Sequence, residues 1–332
     1  MARAPRPSQG GTLRTPPLPP RQGGGSVGLH RFAVATAVAT LFLIFAGGLV
    51  TSTESGLSVP DWPLSYGRLM PPMVGGVFYE HGHRMVATTV GVLTILLAVW
   101  LSRREPRAWV RRVGYGALAA VVAQGVLGGL TVIFLLPTAV SVAHACLAQT
   151  FFSLIVTVAV VTSPAWRAAA DPNRSPVVRI GAATVAMIFL QLLVGAVMRH
   201  TKAGLAIPDF PLALGRIVPP MTSFPVAVAF AHRLGALGVA GCVAGCVIQA
   251  FASRRPGLKK TALLLAALVA LQITLGAFTV LSRKVVALTT AHVVTGALLL
   301  GMALTFTLAS LTEKKPARAR KEGANLTRRA IA

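Results

Sequence analysis

Apolar runs of twenty or more residues, each closed by charges, prolines or glycine clusters, follow one another along most of the chain, and a helix needs about 20 such residues to cross a bilayer. They fall near 32–52, 80–101, 113–135, 138–163, 177–199, 226–252, 260–282 and 285–311, which predicts eight spanning helices. The stretch from Val113 to Trp166 contains no Asp, Glu, Lys or Arg and is too long for one crossing. Its break at Leu135-Leu136-Pro137-Thr138 predicts a tight helical hairpin, because proline cannot continue a helix and biases the residue before it away from one.

Composition agrees with that pattern. Of 332 residues 54% are hydrophobic and 12% charged, at mean hydropathy +0.70, whereas a soluble domain is about a quarter charged. Lys and Arg number 32 against 8 Asp and Glu, a net charge of +24 that in a soluble protein would point to nucleic acid. Eight crossings instead put both termini on one side, and the basic residues sort accordingly. The terminal side carries 24 and the other side eight, namely Arg68, Arg84, Arg199, Lys202, Arg216, Arg233, Arg283 and Lys284. Positive charge collects on the cytoplasmic side of spanning helices, so both termini are expected there, in contact with a lipid bilayer and with no nucleic-acid partner.

Residues 1–30 hold six of the 22 prolines and no acid, and are expected to form a disordered basic tail, with a second basic tail over 313–332. The first tail has no apolar signal-peptide core, so the first span is expected to serve as its own insertion signal. Cys146, Cys242 and Cys246 all lie in apolar stretches, which argues against a disulfide framework or a cysteine zinc site.

The chain is internally duplicated. Thr53 to Pro72, TESGLSVPDWPLSYGRLMPP, matches Thr201 to Pro220, TKAGLAIPDFPLALGRIVPP, at 11 of 20 positions with an offset of 148. At the same offset Gln124-Gly-Val-Leu-Gly-Gly-Leu-Thr-Val meets Gln272-Ile-Thr-Leu-Gly-Ala-Phe-Thr-Val. The expected fold is therefore an all-α integral membrane protein, its eight helices forming two tandem four-helix bundles over 31–165 and 166–312. Four crossings restore the chain's direction, so a pseudo-twofold axis along the membrane normal should relate them.

Four histidines obey the duplication: His83 and His144 in the first half, His232 and His292 in the second. Each sits in the outer end of an even-numbered span, and His144, His232 and His292 lie roughly 10 Å below the helix start at 1.5 Å per residue. Unpaired imidazoles are costly at that depth. A lone one would read as a packing residue, but four at equivalent positions point to ligation. Two helices of one bundle each presenting an imidazole at the same depth could grip a haem iron from both faces.

Arg84 and Arg233 follow the first histidine of each half and either snorkel to the interface or pair with haem propionates. Small residues such as Gly125, Gly128, Gly129 and Gly276 suit close packing around a flat cofactor.

The halves differ at Glu80, which shares a helix face with His83, whereas the second half has Ala229 there. A carboxylate in one site and a methyl in the other suggest that the first site reacts and the second holds a cofactor. The simpler alternative is that Glu80 favours the positive N-terminus of its helix or pairs with Arg84. The repeated loops Gly56 to Leu64 and Gly204 to Leu212 should form lids, with Trp62 or Phe210 closing the bundle mouth and Asp61 and Asp209 capping turns. His81 and His200 fall outside the matched set and read as exposed interface residues.

Taken together, Gly48 to Pro72, then Glu80-x-x-His83-Arg84, then His144, His232-Arg233 and His292 in a duplicated eight-span bundle resemble the haem A synthase family, haem O-oxidising membrane enzymes. The resemblance runs from the first span to the eighth. It implies oxidation of the C8 methyl of haem O to a formyl group by two hydroxylations and loss of water, giving haem A for cytochrome oxidase. It also implies a substrate site at His83, His144 and Glu80, and a haem b cofactor ligated by His232 and His292. A haem O synthase as supplier, an electron acceptor outside the chain and the plasma membrane of a prokaryote are implied as well. Many members carry cysteine pairs in the outer loops; this chain has none there.

Two other readings fit parts of the pattern. A dihaem electron-transfer protein accounts for the histidines but leaves Glu80 without a task. A parallel-repeat transporter accounts for the duplication but has no use for four equivalent histidines.

Overall fold

The computed structural model describes residues 25–167, 170–172, 176–253 and 255–313. The expected tails lie outside the described residues, except that Gly25 to His30 belong to the first helix and Glu313 to a short strand.

The protein is almost wholly helical. In order come α1 (Gly25–Ser52), α2 (Gly76–Arg104), α3 (Ala108–Ile133), α4 (Thr138–Thr162), the single turn α5 (Pro164–Arg167), α6 (Pro176–His200), α7 (Phe224–Ala252), α8 (Pro256–Leu281) and α9 (Val286–Ser310). All but α5 are long and apolar enough to span a membrane, so the chain is a multi-pass membrane protein. Two short strands, β1 (Ala170–Pro172) and β2 (Thr312–Glu313), pair antiparallel beside the ends of α5 and α9. Several helices begin earlier than the apolar runs do: α3 takes in Arg111 and Arg112, and α8 takes in Lys259 and Lys260. Backbone hydrogen bonding continues past the hydrocarbon edge, where long basic side chains reach water.

Helices α1 to α4 pack in a ring, α2 and α4 each touching α1 and α3, and α6 to α9 do the same with α7 and α9 on opposite corners. One apolar cluster joins Leu29, Leu97, Phe151 and Val158; another joins Ile188, Val243, Leu265 and Phe306. Between them lie Ile44, Phe152 and Ala297, where α1, α4 and α9 meet. Helices α4 and α9 are about half buried, whereas α8 is the least buried of the spanning helices. Helices α4 and α9 therefore form the seam, and α8 faces lipid. Exposed side chains such as Val38, Leu237 and Ile248 carry no solvation penalty there, because acyl chains are as apolar as they are.

The duplication is visible in the backbone. Left-handed residues recur at Glu54 and Lys202, at Tyr66 and Leu214, and at Leu135-Leu136 and Arg283-Lys284. The Trp62-Pro63 and Phe210-Pro211 bonds are both cis. The hairpin expected at Leu135 to Thr138 is present, closed by Leu136 N donating to Thr131 O at 2.7 Å, with Lys284 N donating to Thr279 O at 2.8 Å as its counterpart.

Candidate haem sites and their lids

Each matched histidine rests against a glycine of the preceding long helix. A Cβ on Gly47 would lie 3.0 Å from Cε1 of His83, one on Gly128 3.3 Å from His144, one on Gly195 3.0 Å from His232 and one on Gly276 3.0 Å from His292. Those glycines repeat at the offset of 148. A missing side chain in α1, α3, α6 and α8 thus forms the notch that seats each imidazole of α2, α4, α7 and α9. The histidine helices are opposite corners of their rings, and in the second half the two imidazoles are in ring contact.

In the second half the His232 and His292 ring centroids are 6.3 Å apart with planes at 68°. Two imidazoles bound through nitrogen at about 2 Å to one ion would have ring centres roughly 6 Å apart, comparable with the spacing here, and His292 Nε2 itself lies 3.4 Å from Gln272 Nε2. Glutamines fix these rings. Gln191 Nε2 donates to His232 O at 2.6 Å and lies 3.1 Å from its Nδ1, and His292 Nδ1 lies 3.1 Å from Gln272 O. In the first half Gln124 Nε2 donates to His144 O at 3.0 Å.

The described residues bring together no group of three or more His, Cys, Asp or Glu that could hold a bare metal. The histidines come as two pairs, a donor set suited to a macrocycle that brings its own equatorial nitrogens and takes two axial ligands. The residues fit haem on these grounds.

Over each pair lies a loop pinned by arginine. Arg84 Nη1 donates to Asp61 O and Leu64 O, both at 2.8 Å, and its Nη2 to Glu80 Oε1 at 2.6 Å; Glu80 Oε2 accepts Val59 N at 2.8 Å. The pairing of Glu80 with Arg84, held open by the sequence, is present. Arg233 repeats the clasp without a carboxylate, donating to Leu212 O, Asp209 O and Ile207 O at 2.7 to 2.9 Å. The hydrogen-bonded Nη atoms of both arginines hold lids.

Asp61 accepts Tyr66 N and Gly67 N, and Asp209 accepts Leu214 N and Gly215 N, so both cap turns as expected. The Gly67 and Gly215 amides foremost hold these carboxyls below the usual 3.8. Trp62 closes the first mouth against α3, where a Cβ on Gly129 would lie 2.6 Å from its ring.

Sequence reasoning missed the difference between the lids. His81 is not exposed: it is 7% accessible, and its Nδ1 lies 2.8 Å from Ser65 Oγ, while its Nε2 is buried without a partner. Helix α2 turns it under the lid rather than outward. His200 is half-buried at the end of α6. Ser55, Ser65, Glu80 and His81 make the first lid's underside polar. Their counterparts by alignment are Ala203, Ala213, Ala229 and Phe230, and the second lid closes on an apolar cluster of Ile207, Ala213, Val226 and Ala229 with Phe230. Laying the two copies side by side would have exposed this signal.

The chain is 32% identical over 218 residues to a protein of Symbiobacterium thermophilum named "Heme A synthase", covering 63% of this chain and 71% of that one. It is likewise 32% identical over 224 residues to one of Halalkalibacterium halodurans, covering 62% and 72%, and 28% identical over 331 residues to one of Sphingopyxis alaskensis, covering 82% and 89%. Both bear the same name. The sequence profile of the family described as COX15-CtaA, cytochrome oxidase assembly protein, matches residues 30–76 and 74–304, and so takes in every element just described. A duplicated eight-span chain with an imidazole pair in each half, matched over nearly its whole membrane region, belongs to the COX15-CtaA cytochrome oxidase assembly protein family.

Proposed function

We propose that the protein is a haem A synthase, oxidising the C8 methyl of haem O to a formyl group in its first half, with a haem b held in its second. The carrying observation is the asymmetry between equivalent sites. Both present a histidine pair seated on glycines, but only the first has a carboxylate beside its histidine and a polar lid. The relatives' name supports the reading.

Residues 31–165 would form the substrate bundle and 166–312 the cofactor bundle, related by a pseudo-twofold axis along the membrane normal. His83 and His144 would hold haem O, and His232 and His292 would hold haem b, whose iron supplies one-electron chemistry when bound. Glu80 faces the first site from one turn outward of His83. Its carboxylate accepts a proton or stabilises positive charge as the methyl carbon is oxidised. Arg84 and Val59 N fix the direction of its two oxygens, which limits the reorganisation needed for that step. Trp62 and the lid exclude bulk water from the reacting carbon.

Both termini face the cytoplasm and the haem sites lie toward the outer face of a prokaryotic plasma membrane. A haem O synthase would deliver substrate, an acceptor outside the chain would remove electrons, and cytochrome oxidase assembly would consume the product.

Co-expression with a haem O-producing enzyme, followed by extraction and mass spectrometry of the bound haems, tests the reading. Formyl haem or its hydroxylated precursor is expected from the unaltered protein. Glu80→Gln should keep haem b and yield neither product. Stoichiometric unmodified haem in both halves of the unaltered protein would favour a dihaem electron carrier instead.

A further inference from the structure

Arg199 is a cation inside a spanning helix that the lids do not use. It lies one turn outward of Gly195 on α6, and residues four apart share a helix face, so it stands on the face that seats His232. Its charge is within Coulombic reach of His292. Nη2 donates across the halves to Gly48 O at 3.1 Å and Ser52 Oγ at 2.9 Å, and Thr290 Oγ1 of α9 donates to the same Ser52 at 3.1 Å. Gly48 adjoins Gly47, the notch of His83. Arg199 therefore sits on the outer rim of the second pair of imidazoles, between the two sites.

Its bonds are all to neutral groups: among the described residues the ion pairs are Glu80 with Arg84 and Glu105 with Arg107 and Arg167. At the outer end of α6 this guanidinium is half-buried with neutral partners, and its planar fork suits a carboxylate. Arg84 and Arg233 have their Nη atoms on lid carbonyls. The first half has Thr51 at the equivalent position, its hydroxyl turned back onto Gly47 O. Arg199 thus has no counterpart cation in the first half, although its hydrogen bonds reach α1.

We propose that Arg199 binds a propionate carboxylate of the porphyrin seated between His232 and His292. The inference rests on the haem b reading above and adds the residue that recognises the cofactor's acidic edge. It is a binding residue for the resident cofactor rather than part of the reacting site.

The test compares haem b with haem b dimethyl ester, whose propionates are neutral, reconstituted into the full-length haem-free protein and followed by the Soret band and by redox titration. The unaltered protein should bind haem b at least 10-fold more tightly than the ester. Arg199→Gln should lose that preference by weakening haem b alone, and should shift its midpoint potential to more negative values, because a positive charge near the ring favours the reduced iron less once removed. Arg199→Lys should retain part of both. If Arg199→Gln keeps the full preference, or weakens haem b and ester equally, Arg199 is only a strut between the halves and the proposal fails. If neither haem binds with the low-spin spectrum of two imidazoles even in the unaltered protein, it is the haem b reading that fails.

Discussion

Gly276 lies against Cε1 of His292 so closely that a single methyl group there would stand 3.0 Å from the ring carbon. The imidazole must then turn or retreat, and axial ligation tolerates little of either. Gly276→Ala should lower haem affinity in the second half by about 10-fold, the lower end of what disturbing a ligand's support costs, while the protein still folds and inserts. Gly241→Ala is the control, since a Cβ there meets nothing within 4 Å. Haem content per purified protein reads the difference.

Removing the first lid's clasp should loosen the lid without unfolding the bundle. Arg84→Leu leaves Glu80 without its cation and Asp61 O and Leu64 O without a donor. Hydrogen bonds to charged groups contribute about 1.5–3 kcal/mol each, so amides from Val59 to Arg68 should exchange at least 10-fold faster. Equal exchange in the variant and the parent would show that the lid is held otherwise.

Acid should release the turns of both lids. The carboxyls of Asp61 and Asp209 are held below 3.8 by the amides they accept, so their contribution is fully present above that value and is lost as pH falls through the lower folded value. Protection of the Gly67 and Gly215 amides should therefore fall only below about pH 3.8. In Asp209→Asn the Gly215 amide should lose that pH dependence while Gly67 keeps it.

At the far end of the bundle Glu105 is buried between Arg107 at 2.7 Å and Arg167 at 2.6 Å, joining the α2–α3 turn to α5. Burial pushes its carboxyl up, but the Arg107 hydrogen bonds and both positive charges outweigh it and hold it below the usual 4.5. Glu105→Gln should lower stability by about 3 kcal/mol, the low end for breaking a buried pair because both arginines keep some contact with water. Thermal unfolding in detergent should show the loss near neutral pH, shrinking as the parent is taken below about pH 4.5.

The spans and their duplication were legible because lipid demands long apolar runs and because both copies keep the same turn chemistry, down to left-handed Glu54 and Lys202. The histidine set was legible from that register. The glycine notches were not: Gly47 and Gly195 look like ordinary small residues of membrane helices until the neighbouring ring is placed. Arg84 and Arg233 read as cations that snorkel to the interface or pair with propionates; the backbone carbonyls of a folded loop that their Nη atoms engage are partners no residue pattern announces. His81 escaped for the same reason, since its partner Ser65 lies in the lid above it.

The unlike undersides of the two lids also bear on the cost of opening each. Lifting the second lid would bring Ile207, Val226 and Ala229 into water, at about 25 cal/mol for each Å² of apolar surface. Lifting the first would expose Val59 as well, the counterpart of Ile207, but otherwise would wet Ser55, Ser65, Glu80 and His81, groups that water solvates well. One architecture, copied once, thereby closes two chambers with lids that differ in what opening them exposes to water.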